Sequence, residues 1–288
     1  MASELRTRIE EAAAFIRARA PVRPEVGVIL GTGLGDFAEA LRGETVVPYE
    51  AIPHFPHSTV ESHAGELHLG ELSGRLVAVM KGRVHYYEGY RMEQVAFPMR
   101  VLKAIGCQTV IITNAVGGMN PGMPAGTLVV TSDHINLMGD NPLIGQNDDR
   151  LGPRFPDMSE PYSLALIGLA ERAASALGIP LQRAVFVGVA GPNLETAAEY
   201  RFLRSIGADV VGMSLVPEVI AAVHGGQRVL SFNVVTDTCL PDELKLVSIP
   251  EILKVAGRMA PTLIRLVTEV VRRLEEVNED RLSQAENR

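Results

Sequence analysis

Short runs of β-branched and aliphatic residues alternate along the chain with longer segments in which apolar residues recur at helical spacing. The short runs predict strands at Val26–Leu30, Leu76–Met80, Thr109–Thr113, Leu128–Thr131, Ala184–Val189, Asp209–Gly212 and Val229–Val235. The helical spacing predicts helices at Glu93–Ile105, Leu164–Leu177, Ala197–Ile206 and Pro217–Val223. A last helix is predicted to begin at a capping box at Ser248 and to end at about Val277. Strands that alternate with helices in this way predict an α/β fold.

The segment 82–90, which reads GRVHYYEGY, carries the densest polar chemistry in the chain and directly follows a predicted strand. Ligands of open α/β sheets bind where the strands end. Arg83 offers a planar charged fork, and His85 points to the same side of an extended backbone, so the pair predicts an anion grip. An exposed strand end with solvated polar side chains explains this segment almost as well.

Five further strand ends carry anion donors or carboxylates. The glycine-rich turn 31–35 with Thr32 and the small residues 114–118 offer backbone amides, and Ser214 is a candidate cap of the next helix. Glu195 and Asp237 place carboxylates after two other strands. Each signal alone has an ordinary explanation as a turn, a cap or a solvated acid. Together, on one edge of a sheet, they predict one site for phosphate and a nitrogen heterocycle.

Composition narrows the class of protein. The 288 residues are 47% hydrophobic, which suits one large core, so we expect a single domain over residues 1–288. A net charge of -7 argues against a nucleic-acid partner, and no apolar stretch reaches bilayer length, which predicts no membrane span. Cys107 and Cys239 form no close-spaced pair, so we expect neither a disulfide framework nor a zinc site and favour the cytoplasm.

A set of motifs spread over nearly the whole chain closely resembles the trimeric purine nucleoside phosphorylases. The motifs stand in that family's order: GTGLG (31–35), HAG (63–65), GRVHYYEG (82–89), TNAVGG (113–118), SDHINL (132–137), GPNLET (191–196) and GMSLVPE (212–218). The resemblance implies a single α/β domain around a twisted mixed β-sheet flanked by helices. It also implies reversible phosphorolysis of purine nucleosides in a cytoplasmic homotrimer, with inorganic phosphate as co-substrate and neither metal nor organic cofactor.

Carried over by motif, the resemblance assigns residues to three subsites, with His85, Glu195 and Asp237 as the catalytic groups. Phosphate would be held by Thr32, His63, Arg83, His85, the Ala115 amide and Ser214. Ribose would meet Tyr87, Met213, Ile249 and Phe155 of a neighbouring subunit. The purine would lie against Leu194, Glu195, Val211, Gly212 and Asp237.

Two positions depart from the family's pattern. The members selective for 6-oxopurines usually carry Asn where this chain has Asp237. An ionised Asp can only accept hydrogen bonds, which suits the amino group of adenine, whereas Glu195 suits the N1–H of hypoxanthine or guanine. Ile249 stands where these phosphorylases often place a histidine near the 5′-hydroxyl. Both features look locally like methylthioadenosine phosphorylases, so that activity is the alternative, and adenosine tolerance is open.

Readings from other classes also remain. The turn 31–35 favours an NAD-dependent oxidoreductase only weakly, because Asp36 stands where the dinucleotide fingerprint asks for Gly or Ala. A nucleoside-binding protein without catalysis would use the same base contacts. Such a protein would have no need for the predicted phosphate-binding residues Arg83, His85 and Ser214.

Overall fold

The computed structural model describes residues 2–31, 33, 35–59 and 64–277 of the chain. Within them, one mixed β-sheet contains the strands β1 Val26–Ile29, β2 Arg42–Pro48, β3 Glu66–Leu72, β4 Arg75–Lys81, β5 Thr109–Gly118, β6 Leu128–Leu137, β7 Gln182–Val189, β8 Val210–Gly212 and β9 Arg228–Thr238. The helices are α1 Ala2–Arg19, α2 Met92–Val95, α3 Phe97–Ile105, α4 Leu164–Leu177, α5 Ala197–Ser205, α6 Val216–His224 and α7 Ile249–Arg272. The predicted mixed α/β fold is confirmed.

The sheet folds back on itself around β5. The strand order is β2-β3-β4-β1-β5-β8-β7-β6-β9, and β9 also pairs with β5, so the last five strands close into a ring. β5 runs parallel to β1 and β9 and antiparallel to β8. It therefore belongs both to the open part of the sheet and to the ring, and it is the strand on which the two parts meet.

Apolar sequence runs explain why these strands are central. Val77–Met80 of β4 and Val110–Ile112 of β5 are completely or almost completely buried. A strand covered on both faces needs apolar side chains at every position, and an uninterrupted aliphatic run provides them. The main hydrophobic cluster extends from Ile9 of α1 to Val277 near the end of the described chain, and full burial of each such side chain is worth roughly 1.5–3 kcal/mol.

Several elements differ from their predicted bounds. β5, β6 and β9 run three to six residues beyond their predicted ends, because polar and small residues continue the ladders. The predicted helix Glu93–Ile105 is interrupted at Ala96, ahead of Pro98 in the first turn of α3. β2 and β3 are not among the predicted strands. For β2 the reason is that the strand is largely exposed and alternates weakly. α7 ends at Arg272, one turn residue follows, and residues 274–277 are helical again, so helical structure reaches the predicted end near Val277. Ser248 makes no side-chain capping bond.

A long segment without regular secondary structure follows β6. β6 extends to Leu137, and residues 138–163 contain neither helix nor strand. No helix in the part of the chain that the structure describes is long and apolar enough to cross a bilayer.

Candidate active site

A cavity of about 470 Å³ opens at the carboxyl ends of β1 and β4, beside β5, β8, β9 and the start of α7. Twelve of the predicted site residues, from distant parts of the chain, line it together. They are Arg83, His85, Tyr87, Ala115, Leu194, Glu195, Val211, Gly212, Met213, Ser214, Asp237 and Ile249. The position agrees with the rule that ligands bind outside the carboxyl ends of α/β strands.

Three predicted site residues are not among those that line the cavity. Thr32 and His63 lie outside the described residues. Phe155 is 87% exposed and borders a different surface hollow, together with Ile144 and Arg154. Within one subunit Phe155 therefore contributes nothing to this cavity, which agrees with its predicted use by a neighbouring chain but does not test it.

A gap along one edge of β5 makes room for the cavity. That edge pairs with β1 only as far as Ile112 and with β8 only from Gly117 onwards. Among the described residues, no strand pairs with this edge over positions 113–116. The sequence predicts that β5 ends at Thr113. In the structure β5 continues past this residue, and it is the neighbouring strand β1 that ends. The main chain near Ala115 is consequently open to the cavity.

Gly31 lets the turn after β1 approach β5 closely. A Cβ at this position would lie 2.6 Å from the carbonyl oxygen of Thr113, which no side chain could occupy without displacing the backbone. The Gly31 N–H donates to Thr113 Oγ1 at 3.0 Å, and the Thr113 hydroxyl donates to the Ile29 carbonyl at 3.0 Å. These contacts fix the glycine-rich turn against the open edge of β5.

Arg83 is held at one end of the cavity by three partners. Its Nη1 donates to Asn114 Oδ1 at 2.6 Å, and its Nη2 donates to the Thr113 carbonyl at 2.8 Å. Its Nε lies 3.5 Å from the buried Glu218 carboxylate of α6. The guanidinium is only 3% exposed, so its orientation is set by the protein before any anion arrives.

Asn114 is the centre of a buried polar network beneath the cavity. Its Oδ1 accepts from Arg83 and from Ser214 Oγ at 3.1 Å, and its Nδ2 donates to Asn233 Oδ1 at 2.7 Å and to Ser231 Oγ at 3.3 Å. A side-chain amide offers two donor protons and two acceptor lone pairs, and all four are used. Asn114 therefore ties the arginine and the serine of the cavity to β9.

Glu88 orients His85, and sequence reasoning missed it. Its Oε1 accepts from His85 Nδ1 at 2.9 Å and from the His85 backbone N–H at 2.7 Å, while its Oε2 accepts from the Thr59 N–H at 2.7 Å. Burial raises the pKa of Glu88, but these hydrogen bonds outweigh it and hold the pKa at about 2. The His85 ring also stacks on Tyr87, with centroids 4.7 Å apart. The imidazole is thus fixed on two sides.

Ser214 contributes a hydroxyl rather than a helix cap. The N-cap residue of α6 is Leu215, so the prediction that Ser214 caps this helix is wrong. Leu215 is fully buried and has φ 66° and ψ -58°, a conformation that costs a non-glycine residue roughly 1–3 kcal/mol. This strained residue turns the chain from β8 into α6 and leaves the Ser214 side chain at the cavity, bonded to Asn114.

The opposite end of the cavity carries a partly buried carboxylate. Glu195 precedes α5, whose start is fixed by a capping box between Thr196 and Glu199 with bonds of 3.2 and 2.7 Å. Burial raises the pKa of Glu195, the nearby Tyr200 hydroxyl opposes this shift, and the charges of Glu199 and Asp237 add to it. Tyr200, one turn into α5, also lines the cavity.

Asp237 is the second carboxylate at this end. Its Oδ1 accepts from the Thr236 hydroxyl at 2.9 Å, and its Oδ2 accepts from the Cys239 thiol at 3.1 Å. Asp237 lies within β9, opposite Gly117 of β5, rather than in a solvated loop. The cavity therefore has a cationic end at Arg83 and His85 and an acidic end at Glu195 and Asp237.

The first turns of α7 add an apolar wall that the motifs did not reveal. Ile252 and Leu253 line the cavity beside the predicted Ile249. Sequence reasoning also missed Asn114, Tyr200, Thr236 and Cys239 as lining side chains. An i, i+3, i+4 pattern starting at Ile249 could have suggested the wall, but apolar residues at that spacing ordinarily pack into a core. Among the residues that the structure describes, no group of three or more His, Cys, Asp or Glu side chains could hold a metal ion.

The chain is similar to known phosphorylases in both sequence and structure. The profile of the phosphorylase superfamily matches residues 25–272. Purine nucleoside phosphorylase 1 of Bacillus subtilis is 48% identical over 271 residues, which cover 94% of this chain and all of that protein. The structure of Schistosoma mansoni purine nucleoside phosphorylase in complex with adenosine matches with a TM-score of 0.89 at 36% identity, covering 93% of this chain and 97% of the other. Its complex with inosine matches with the same TM-score at 35% identity, covering 93% and 96%.

The chain belongs to the phosphorylase superfamily and, within it, to the purine nucleoside phosphorylases. The family predicted from the motifs is thereby confirmed.

Proposed function

We propose that the cavity carries out the reversible phosphorolysis of purine nucleosides and 2′-deoxynucleosides, a pentosyl transfer to phosphate. The observation that carries the proposal is the polarity of one cavity. Arg83 and His85 stand at one end, Glu195 and Asp237 stand at the other, and the open edge of β5 lies between them. A nucleoside placed across it presents its base to the two carboxylates and its C1′ to a phosphate held by Arg83 and His85.

An oxygen of phosphate attacks C1′ while the C1′–N9 bond breaks and its electron pair moves into the purine. The products are the free base and ribose 1-phosphate. The sugar passes through a cationic, oxocarbenium-like state, so the enzyme needs no protein nucleophile. Positioning and electrostatic stabilisation supply the rate. The phosphate dianion stabilises the cationic sugar, and hydrogen bonds to the base stabilise its developing negative charge.

In this proposal the phosphate contacts come from groups that the fold already orients. Arg83 and His85 bind phosphate oxygens, and the Ala115 amide donates from the unpaired edge of β5. The Ser214 hydroxyl, whose one proton is bonded to Asn114 in the empty cavity, turns to donate to phosphate instead. The family resemblance adds Thr32 and His63. Tyr87 and Met213 contact the ribose, and inorganic phosphate is the only co-substrate that the mechanism requires.

At the base, Leu194, Val211 and Gly212 provide contact surface, and the two carboxylates provide selectivity. Ionised Glu195 accepts from the N1–H of a 6-oxopurine, whereas Asp237 accepts from the amino group of adenine. We propose inosine and guanosine as the main substrates, with adenosine also cleaved. The matched Schistosoma mansoni enzyme supports this breadth, since its structures include complexes with adenosine and with inosine.

The apolar wall of α7 supports methylthioadenosine as a second candidate substrate. Ile249, Ile252 and Leu253 line the cavity, and these side chains offer no hydrogen bond. A 5′-methylthio group would gain from such a wall, whereas a 5′-hydroxyl would find no partner on it.

We also propose a homotrimer in which Phe155 completes the site of a neighbouring subunit. Its 87% exposure supports this use together with that of Ile144, which is 73% exposed and borders the same hollow, because adjoining exposed apolar side chains mark interaction surfaces. The two cysteines are buried unpaired thiols, which supports a reducing compartment such as the cytoplasm. If the protein is a trimer, Phe155→Ala should lower kcat/KM for inosine, with sedimentation used to check that the variant is still a trimer. Phe202→Ala, which removes another exposed ring, should leave kcat/KM unchanged.

One experiment separates the candidates. Inosine, guanosine, adenosine and methylthioadenosine are incubated with the enzyme, with and without phosphate, and the free base is measured. The proposal expects phosphate-dependent release from inosine and guanosine and slower release from adenosine. Exclusive cleavage of methylthioadenosine would replace the first candidate by the second.

A further inference from the structure

His224, the last residue of α6, links two parts of the molecule outside the cavity. Its Nδ1 lies 3.2 Å from Nη1 of Arg100 in α3, and its Nε2 lies 3.3 Å from the side-chain oxygen of Asn147. His224 is 3% exposed and Arg100 is 8% exposed, so the protein and not the solvent sets the orientation of both side chains. The imidazole therefore connects α3 and α6 to the long segment that follows β6.

The partners of His224 fix which ring nitrogen carries a proton. Asn147 Nδ2 donates to Asp149 Oδ1 at 2.8 Å and to the Gly152 carbonyl at 3.0 Å, so the oxygen of this amide faces His224. An arginine can only donate, which makes His224 Nδ1 an acceptor. The ring is consequently neutral, and its one proton is on Nε2, donated to Asn147.

Residues 141–155, here called the Phe155 loop, are held together by internal hydrogen bonds. Arg154 Nη1 donates to the carbonyls of Leu143 and Gly145, both at 3.0 Å. Arg154 directly precedes Phe155, so these bonds tie the backbone beside the aromatic ring to the start of the loop. The position of Phe155 therefore depends on where the loop as a whole is held.

The Phe155 loop packs closely against the end of α6. A Cβ at Gly152 would lie 1.9 Å from the His224 carbonyl oxygen and 2.9 Å from Cδ2 of the His224 ring. Only a glycine lets the backbone of the loop approach this closely. The hydrogen bond between His224 and Asn147 adds a directional link at the same place. His224 thus contacts the loop through both its backbone and its ring.

We propose that His224, in its neutral form, is a positioning residue that fixes the Phe155 loop and thereby the ring that completes the ribose site of a neighbouring subunit. This inference rests on the proposed function, which assigns Phe155 to that site. Without the bond from Nε2, the loop loses a directional link to α6, and Phe155 samples more orientations. Nucleoside binding weakens, whereas Arg83 and His85 keep their geometry, because their own partners hold them.

The surroundings of the imidazole make the link sensitive to protonation. Among the described residues, Arg100 is the charged group that faces His224, and Glu93 of α2 acts on Arg100. From the loop, His224 meets the uncharged amide of Asn147, and Asp149 lies on the other side of that amide. A second ring proton, on Nδ1, would point at the guanidinium. It would replace an accepted hydrogen bond by a contact between two cations.

The link consequently depends on pH. Burial lowers the pKa of His224 and the charge of Arg100 lowers it further, although the backbone of Gly152 and Pro153 opposes the shift in part. Because the folded-state pKa lies below the ordinary value of about 6.5, the link is complete at neutral pH and is lost as the pH falls through that lower pKa. Nucleoside binding should weaken over the same range.

The test compares the full-length wild-type enzyme with His224→Gln, His224→Leu and Asn147→Ala. Gln keeps an acceptor and a donor at every pH, whereas Leu keeps an apolar side chain and removes both bonds. His224→Leu and Asn147→Ala are expected to raise the KM for inosine and for adenosine alike, about three- to tenfold, with the phosphate KM unchanged. His224→Gln is expected to stay within about twofold of the wild type at neutral pH. It should also lack the wild-type rise in nucleoside KM at acidic pH.

Two further measurements separate positioning from a general loss of stability. The nucleoside KM of the double variant His224→Leu, Phe155→Ala is expected to equal that of Phe155→Ala, because both changes act through one ring. Hydrogen exchange of the backbone amides in the Phe155 loop is expected to be faster in His224→Leu than in the wild type, with exchange in β5 unchanged.

Each contrary result overturns the inference. Additive losses in the double variant, or a phosphate KM that rises as much as the nucleoside KM, would show that His224 only stabilises the fold. Unchanged nucleoside KM in His224→Leu and Asn147→Ala, or in Phe155→Ala, would remove the link or the ring from nucleoside binding. If His224→Leu does not fold, Asn147→Ala decides by the same measurements. If the wild-type enzyme releases no base in phosphate, the proposed function fails, and hydrogen exchange alone decides whether His224 holds the loop.

Discussion

The two ends of the cavity are built in different ways. At the cationic end, Arg83 and His85 are more than nine-tenths buried and are hydrogen-bonded to side chains and backbone of the surrounding sheet. At the acidic end, Glu195 lies on the loop before α5, and Asp237 lies near the last residues of β9, with both only half-buried. A buried hydrogen-bond network fixes the cationic end. At the acidic end, the protonation and orientation of the two carboxylates depend on the residues around them.

This difference separates the reaction from its selectivity. Phosphate is the same for every nucleoside, so a rigid preorganised site serves all substrates equally. The bases differ in which edge atoms donate and accept, so selectivity depends on the protonation and orientation of two carboxylates. Changes at the cationic end should therefore affect all nucleosides alike, and changes at the acidic end should affect their ratio.

Arg83→Ala should have the largest effect. Loss of one preorganised charge-bearing donor typically costs about 100- to 1,000-fold in rate, and the variant also leaves Glu218 without its cation. We expect a raised phosphate KM and a lowered kcat for inosine and adenosine alike, measured by base release at varied phosphate. Arg265→Ala, on the exposed face of α7, is the matched control. A change in the substrate ratio alone would reverse the assignment of the two ends.

Asp237→Asn should change selectivity at the other end. A hydrogen bond to a charged group contributes roughly 1.5–3 kcal/mol, so the inosine-to-adenosine ratio of kcat/KM should rise by about 10- to 100-fold. The physical reason is that Asn can donate to O6, whereas ionised Asp cannot. Steady-state assays with both nucleosides measure the ratio, and Asp242→Asn, whose side chain is 83% exposed, is the control. A ratio equal to that of the wild type would remove Asp237 from base recognition.

The pH dependence of the same ratio tests Glu195. Burial raises its pKa, so the protonated form persists to a higher pH than in an ordinary glutamate. The adenosine-to-inosine ratio should therefore be high at acidic pH and fall, by roughly tenfold, as pH rises through that pKa. Glu195→Gln, which can donate and accept at every pH, should give a flat profile. A sloping profile in the Gln variant would assign the titration to another group.

Ile249→Ala should have the smallest effect. It removes part of the apolar wall, and a few methylene groups in a hydrophobic pocket are worth roughly 1–3 kcal/mol. We expect kcat/KM for methylthioadenosine to fall several-fold more than that for adenosine, in paired assays on the two substrates. An equal loss for both would show that the wall does not meet the 5′ group.

The sequence predicted the cationic end better than the acidic end. Arg83 and His85 fall within eight residues of one motif, at the end of an obvious buried strand, so local pattern alone placed them. Glu195 and Asp237 were visible as acids at strand ends, but Tyr200 and Cys239 were not. Their roles depend on bringing α5 next to the end of β9, and no local pattern encodes that contact.

The end of β5 was also predicted wrongly, and the error has a physical cause. A strand prediction relies on apolar alternation, which ends at Thr113, while hydrogen bonding to β9 continues to Gly118. Asn114 therefore seemed to be a turn residue, although it is a buried hub with four hydrogen bonds. Buried polar networks of this kind are invisible to hydrophobic patterning, because their members have the composition of loops.

The central claim is that phosphate itself attacks the sugar. The direct measurement uses phosphate labelled with ¹⁸O at all four oxygens, with inosine in unlabelled water, and determines the mass of the sugar product. Phosphorolysis predicts ribose 1-phosphate that retains all four labelled oxygens, in equal amount to hypoxanthine, and no base release without phosphate. Free ribose carrying an oxygen from water, formed with or without phosphate, would contradict the account.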